Sequence, residues 1–252
     1  MKMARIYSNK GEKPVIDQTK VLAFFEARAE KAKKHDVNYK QAVIYQDKKP
    51  DLAEARDQAE KTLLLPKFAL TGEESFLDIG CGTGRWLHAL CEQVAYYHGI
   101  DASNGLVEIA KQQFNQPHIR LTCLNAENVS LDSLSETQPF DRVLNVGVMM
   151  YLNEPELQKY LSAIPSLLAE QGLFIVREPI ALEKRLTLDL HYSEDMEQSY
   201  SAIYRTENEL LELMSEAFNN KLQLIESDFV FKEVELNNRS ETKMKYFVFK
   251  AY

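Results

Sequence analysis

Cysteine is scarce in this chain: Cys81, Cys91 and Cys123 are all there is, an odd number without the paired close spacing of a zinc knuckle. That pattern excludes a disulfide framework and gives no sign of a structural zinc, so reduced thiols and no metal are expected. No apolar run comes near the roughly 20 residues that span a bilayer. The polar opening, residues 1–17, also has no apolar core of a secretory leader. A cytoplasmic location without a membrane partner is the expectation. Glycine and proline are few, 9 and 8 among 252 residues, which argues against a disordered or low-complexity chain. Positive charge is short as well: 30 Lys and Arg face 38 Asp and Glu, a formal net charge of -8. Proteins that grip phosphate backbones present a basic face, so nucleic acid is not the expected partner. The one dense basic run, Lys31, Lys33 and Lys34, is flanked by Glu30 and Asp36 and reads as a solvated helix face.

What is present is ample core material. Hydrophobic residues make up 45% of the chain, enough for one α/β domain with extensions, and there are no internal repeats. The first 70 residues read as helical. Val21, Leu22, Phe24, Phe25 and Ala29 recur at helical spacing, as do Leu52, Ala55, Ala59 and Leu63 before Pro66 stops the second helix. Residues 39–50 between them read as a connecting loop. From Ser75 onward, strand-like runs at 76–79, 94–100, 119–124, 140–146 and 173–177 alternate with helical patterns at 85–92, 106–114 and 157–168. Asn153 with Glu156 predicts a capping box, and Thr206 with Glu209 predicts another. Such alternation implies a mainly parallel sheet with helices on both faces. The runs at 222–231 and 243–251 have no helix between them and must pair antiparallel. The expected class is α/β: a Rossmann-like doubly wound sheet, mainly parallel with an antiparallel last strand, plus N-terminal helices. Residues 1–70 are expected to form a helical extension or lid, and residues 71–252 the main domain with a substrate-facing insertion at about 178–205.

The strongest local signal is Phe76-Leu77-Asp78-Ile79-Gly80-Cys81-Gly82-Thr83-Gly84, a strand running into a glycine cluster with a helix opening at about Arg85. Glycine allows positive φ and lets a ligand touch bare backbone, while a helix start supplies free N–H groups. Such a turn alone does not select a ligand. Asp78 sharpens it, because a carboxylate at the mouth of the sheet repels a pyrophosphate and favours a cation. The spacing also differs from G-x-G-x-x-G. Asp101, in Gly99-Ile100-Asp101-Ala102-Ser103, ends the next strand, where a carboxylate can accept both hydroxyls of a ribose.

The stretch 76–84 resembles motif I of the class I S-adenosylmethionine-dependent methyltransferases almost residue for residue. The resemblance implies S-adenosyl-L-methionine as cofactor, whose ammonium and sulfonium suit Asp78. It also implies that Gly80, Cys81 and Gly82 cradle the cofactor while Asp101 and Ala102 meet its ribose. In Leu124-Asn125-Ala126-Glu127 the family commonly reads Asp-Ala and holds the adenine; Asn125 keeps the acceptor oxygen and loses the charge. Asn125, Ala126 and Glu127 are carried over on that basis. Asn145 and Gly147 match the family position that lines the methionine tail. Tyr45 and Arg56 match a tyrosine and an arginine that in several small-molecule methyltransferases close over the cofactor, the guanidinium pairing with its carboxylate. A solvent-facing arginine on an amphipathic helix is the alternative for Arg56. The Asn-Pro-Pro-Tyr signature is absent, which counts against a nucleobase or glutamine substrate.

Methyl transfer depends largely on positioning, and a hydroxyl acceptor usually needs a general base as well. Glu178 and His191 are the candidate catalytic bases, each with a structural or surface role as the alternative. Tyr200, Tyr204, Arg205 and Arg239 are the candidate substrate-binding residues, and tyrosines with arginines suggest a polar, anionic acceptor. Tyr192-Ser193, Tyr200-Ser201-Ala202-Ile203-Tyr204-Arg205-Thr206, Leu236-Asn237-Asn238-Arg239 and Tyr45-Gln46-Asp47 resemble methyltransferases of bacterial capsule and surface-polysaccharide clusters. That resemblance implies O-methylation of a sugar or a phosphate-containing group. N-methylation of an amino acid or secondary metabolite is the alternative, with an RNA methyltransferase or a non-catalytic cofactor-binding protein behind it. The partner expected is a small-molecule acceptor, with a homodimer left open.

Overall fold

The computed structural model describes residues 4–9, 11–34, 36–44, 46–237 and 239–252. Its centre is a sheet of seven strands: β2 (Ser75–Ile79), β3 (Tyr96–Asp101), β4 (Ile119–Cys123), β5 (Phe140–Val146), β6 (Leu168–Ala181), β9 (Leu222–Phe229) and β10 (Thr242–Ala251). Their order is β4-β3-β2-β5-β6-β10-β9. The first five in that order pair parallel, and β10 runs antiparallel between β6 and β9. The expected antiparallel ending is therefore present.

Parallel strands are buried on both faces, and in β2 apolar residues point to both sides. Leu77 and Ile79 pack with α7 (Glu154–Leu167) and α8 (Glu207–Phe218), whose Leu157, Leu161, Ile164, Leu210 and Met214 join the same core. Phe76 faces the other way, against Phe68, Trp86 and Tyr97. On that second face lie α3 (Pro50–Leu64), the short α4 (Leu87–Leu90) and α5 (Asn104–Gln113). A short α6 (Leu131–Leu134) precedes β5. Strand order reverses between β2 and β5, which opens a crevice at the carboxyl ends of those strands.

A second sheet sits over that end. It has three antiparallel strands in the order β1-β7-β8, where β1 is Ala4–Tyr7, β7 is Leu186–Ser193 and β8 is Gln198–Tyr204. Two expectations are corrected here. The opening residues are not all helical, because residues 4–7 find a pairing edge on β7 that no local pattern announces. The insertion expected at about 178 starts later, because β6 runs to Ala181, and a hairpin of β7 and β8 makes up most of it.

The N-terminal helix α1 (Gln18–Lys33) packs on α5 and on β8, and α2 (Tyr39–Ile44) packs on α1 and α3. Residues 39–50, expected as a loop, begin with that second helix. Asn38 and Gln41 explain it: Gln41 N donates to Asn38 Oδ1 at 2.9 Å and Asn38 N donates to Gln41 Oε1 at 3.0 Å, a reciprocal cap. The guanidinium of Arg28, fully buried, then donates to the Gln41 and Ala42 carbonyls and to Asp47. Thr206 and Glu209 form the expected capping box, but Asn153 and Glu156 do not. Asn153 Oδ1 accepts from Ile16 N at 2.9 Å instead, and its amide donates to Ile16 O at 3.0 Å. A buried long-range partner displaces the local one, and the N-terminal segment is tied to the start of α7.

Candidate active site

Two cavities meet above the crevice, of about 340 Å³ and about 190 Å³. Val43, Gly80, Val146, Gly147 and Tyr151 belong to the walls of both. The glycine turn is the partition, and its shape demands glycine. Gly80 has φ +79°, and a Cβ there would lie 2.3 Å from Val148 Cγ2; Gly82 has φ +55°, and its Cβ would lie 2.8 Å from Val43 Cγ1. Gly80 N and Cys81 N both donate to Ile100 O, at 2.8 and 2.9 Å, pinning the turn to the end of β3. The helix after the turn becomes regular only at Leu87, two residues beyond the expected start.

Asp78 lies under this turn, 1% exposed. Its Oδ2 accepts from Tyr97 OH at 2.6 Å, while its Oδ1 is buried with no protein donor among the described residues. Burial pushes its carboxyl up to about 7, against the pull of the Tyr97 hydrogen bond and the Arg85 charge. A buried carboxylate with an idle oxygen is poised for a cationic donor. Asp101 is better satisfied: Gly82 N reaches its Oδ2 at 2.9 Å and Ser103 N its Oδ1 at 2.8 Å. Burial still raises it to about 6.

The smaller cavity is walled by Asp101, Ala102, Asn125, Ala126 and Glu127, and roofed by Gln18, Val21 and Phe25 of α1. Asn125 Nδ2 donates to Glu127 Oε1 at 2.9 Å, which braces the two side chains against each other. Acid at one end, apolar residues above and amide groups at the other suit a nucleoside. The larger cavity is polar and basic. Arg56, Arg85 and Arg177 line its inner end, and Tyr200, Tyr204 and Arg239 line another part of its wall. Arg239 donates to Tyr200 OH, and burial with Tyr200 nearby pushes the Tyr204 hydroxyl well above its usual range, keeping it a donor.

The crevice thus gathers Gly80, Cys81, Gly82, Asp101, Ala102, Asn125, Ala126, Glu127, Gly147, Arg56, Tyr200, Tyr204 and Arg239 as expected, with Asp78 directly beneath. Four assignments are corrected. Glu178 is not a base facing the cavity: one oxygen accepts from Asn145 Nδ2 at 2.8 Å, Val148 N at 2.8 Å and Met149 N at 2.9 Å. Asn145 is turned the same way, its Oδ1 accepting from Tyr160 OH at 2.8 Å, so its side chain lies outside both walls. Arg205 spends its donors on Glu154 Oε1 at 2.9 Å and on the carbonyls of Met149 and Leu152, both at 2.8 Å. His191 pairs across from Tyr200 on β7 but lines neither cavity, and burial lowers its affinity for a proton. Tyr45 and Asn238 lie outside the described residues.

Sequence reasoning missed Arg85, Arg177 and Asp195, and Asn237 of the quoted stretch 236–239 joins them in the wall of the larger cavity. Asp195 Oδ2 and Asn237 Oδ1 are buried there without a donor among the described residues. The signal for Arg177 was available: neighbours on a strand face opposite sides, so Arg177 and Glu178 could not both point inward.

Residues 76–172 match the family described as a methyltransferase domain. A Yersinia pseudotuberculosis carboxy-S-adenosyl-L-methionine synthase is 31% identical over 110 residues, covering 42% of this chain and 45% of the relative. The chain spans less than half of the length of the first curated relatives it matches. Among solved structures, Haemonchus contortus phosphoethanolamine N-methyltransferase 1 with phosphoethanolamine and S-adenosylhomocysteine is similar over 93% of this chain and 49% of that one, at 17% identity and TM-score 0.68. The Burkholderia thailandensis 1,6-didemethyltoxoflavin-N1-methyltransferase, also with S-adenosylhomocysteine, covers 99% of this chain and 95% of its own at 15% identity and TM-score 0.64. The Rossmann-like methyltransferase fold is shared with both. The residues in the crevice fit S-adenosyl-L-methionine, the cofactor of such domains: the idle Asp78 oxygen would face its positive charge, and the smaller cavity beside Asp101 would take its nucleoside.

Proposed function

We propose that the protein transfers the methyl group of S-adenosyl-L-methionine to a small, polar, anionic acceptor, by O-methylation of a sugar or a phosphate-containing group. One observation carries the reading: the nucleoside-shaped cavity opens over Gly80 and Gly147 into a second one, whose wall presents Arg239 with the hydroxyls of Tyr200 and Tyr204. When bound, the cofactor supplies an electrophilic methyl group on a sulfonium. The chain's own residues do the rest. Asp101 accepts from the ribose, residues 125–127 bracket the base, and Asp78 faces positive charge. Arg239 and the tyrosines hold the acceptor's acidic group, which fixes the nucleophile in line; positioning supplies much of the rate in such a transfer. Val43 and α1 roof the cavities, so the N-terminal segment 1–70 serves as their lid.

The test is an acceptor panel with labelled cofactor, pairing uronic acids and sugar phosphates with their neutral sugars. Methyl transfer to the acidic members, weakened in Arg239→Gln, is the expected result. Turnover of the neutral members alone would defeat it. N-methylation is a second reading, because the two solved neighbours named above are N-methyltransferases that span this chain almost entirely. Mass spectrometry of the product distinguishes the two, since fragmentation locates the added methyl group on nitrogen or on oxygen.

A further inference from the structure

Asp195 and Asn237 have no part in the roles above, yet both stand in the wall of the larger cavity with Arg239, Tyr200 and Tyr204. They come from separate segments, Asp195 from the turn between β7 and β8 and Asn237 from the loop before β10. Asp195 Oδ2 and Asn237 Oδ1 are each buried with no donor among the described residues. The orientation of the Asn237 amide is fixed, because its Nδ2 donates to Glu233 O at 2.9 Å. A carbonyl can only accept, so the nitrogen must face Glu233 and the oxygen is the atom left over. Lysines that reach the Asp195 turn bond elsewhere. Lys31 Nζ donates to Met196 O at 2.6 Å, and Lys48 Nζ pairs with Glu197 at 2.9 Å. A buried oxygen without a donor carries a penalty worth about tenfold or more in an equilibrium. Two such oxygens in one cavity wall call for donors from outside the chain.

We propose that Asp195 and Asn237 read hydroxyl groups of the acceptor, which makes the substrate class a polyhydroxylated acid such as a sugar acid or sugar phosphate. The inference rests on the acceptor reading above, which by itself requires only the acidic group. The wall makes two opposite demands. Arg239 and the tyrosine hydroxyls offer donors to an acid, while Asp195 Oδ2 and Asn237 Oδ1 accept. A simple carboxylate or phosphate ester satisfies the first demand and leaves both oxygens stranded. A hydroxylated acid satisfies both in one molecule. Hydroxyls suit the pair better than an ammonium does, because the Asn237 oxygen is uncharged and Arg239 and Lys49 of the same wall repel a cation. A site built to bond a hydroxyl rejects the analogue that lacks it, since its own buried groups then go unpaired.

The experiment is a binding titration of the full chain, saturated with S-adenosylhomocysteine, against matched probes. Methyl glucuronoside is paired with cyclohexanecarboxylate, glucose 6-phosphate with cyclohexylmethyl phosphate, and glucose serves as the neutral polyol. Wild type is expected to bind the hydroxylated member of at least one pair about tenfold or more tightly than its bare counterpart. Asp195→Ala and Asn237→Ala should each lose most of that preference, with the bare acid within about twofold of wild type. Asp195→Asn keeps an acceptor oxygen and should hold most of it. A loss in Asp195→Asn as large as in Asp195→Ala would mean a cationic partner and overturn the hydroxyl assignment. Equal binding of both members of each pair, with Arg239→Gln weakening both, overturns the inference and leaves the acidic acceptor standing. Glucose bound as tightly as the acids, through Asp195, removes the acidic reading and keeps the hydroxyl one. Silence from every probe defeats both. A second measurement guards against a structural role: Asp195→Ala should not lower the thermal midpoint of the acceptor-free protein, because the buried oxygen it removes has no donor to lose. A fall of several degrees would overturn its part in the inference. Should Asn237→Ala disturb its loop, the ratio in Asp195→Ala decides.

Discussion

Glu178 and Arg205 hold Met149 from opposite sides: its amide donates to Glu178 Oε1 at 2.9 Å, and its carbonyl accepts from Arg205 Nη1 at 2.8 Å. The segment between them, residues 147–152, supplies Gly147, Met150 and Tyr151 to the cavity walls. Both charged residues therefore act on the site through the loop they clamp. Burial favours the protonated form of Glu178, and the hydrogen bonds from Met149 and Asn145 oppose it.

Replacing Glu178 with Gln should lower kcat by tenfold or so while leaving the shape of the pH–rate profile intact. A base would behave otherwise, since its removal erases the acid limb of that profile. Arg205→Met should cost about 3 kcal/mol in denaturant unfolding, because it strands two carbonyls and leaves Glu154 with Arg185 alone.

Asp78→Asn should stabilise the cofactor-free protein and ruin its affinity for the cofactor. The carboxyl titrates near 7 in the folded state against 3.8 in the free side chain. The folded form thus binds the proton more tightly than the unfolded one. Stability falls as pH rises from about 4 to about 7 and stays low above. The variant should gain roughly 4 kcal/mol at pH 8 and next to nothing at pH 4. Urea melts at both pH values check the sign, and a gain of the same size at both would refute it. Wild-type affinity for S-adenosylhomocysteine should also decline as pH drops below about 7.

Gly80→Ala combines a positive φ with a Cβ 2.3 Å from Val148 Cγ2. Thermal melts should show a loss of about 2 kcal/mol, with cofactor binding weakened further. Val148→Ala in the same protein should recover only the steric share. Full recovery would mean that the backbone is unstrained there.

Tyr200→Phe and Arg239→Gln should each raise the KM for an acidic acceptor by about tenfold without moving the dissociation constant of S-adenosylhomocysteine. The two losses should not add, because Arg239 donates directly to the Tyr200 hydroxyl and one change disarms the other. Equal KM values for the acidic acceptor and its neutral counterpart in wild type would remove the premise.

The cofactor half of the site was legible because each of its residues sits at a strand end, where local chemistry speaks. Asp78 before a glycine turn, Asp101 at the next strand end and residues 125–127 at the third are all short-range statements. The outer half was legible only in part: Tyr200, Tyr204 and Arg239 line the cavity, and Arg205 does not. Arg205 and Arg239 carry the same side chain in comparable loops, and only tertiary contacts show that one clamps a backbone while the other faces the cavity. Glu178 misled because burial at a strand end looks the same whether the carboxylate meets a ligand or three protein donors. Asn38 and Gln41, by contrast, carried a readable cap and announced a helix where a loop was expected.

The pairing of β1 with β7 joins Ala4 to Asp189 and Tyr7 to Leu186. During synthesis that small sheet has no partner to recruit until most of the polypeptide has left the ribosome, and closing so large a loop is slow. The five parallel strands β2 to β6 precede β7 in the chain and can pair before that sheet closes, with the glycine turn still bare.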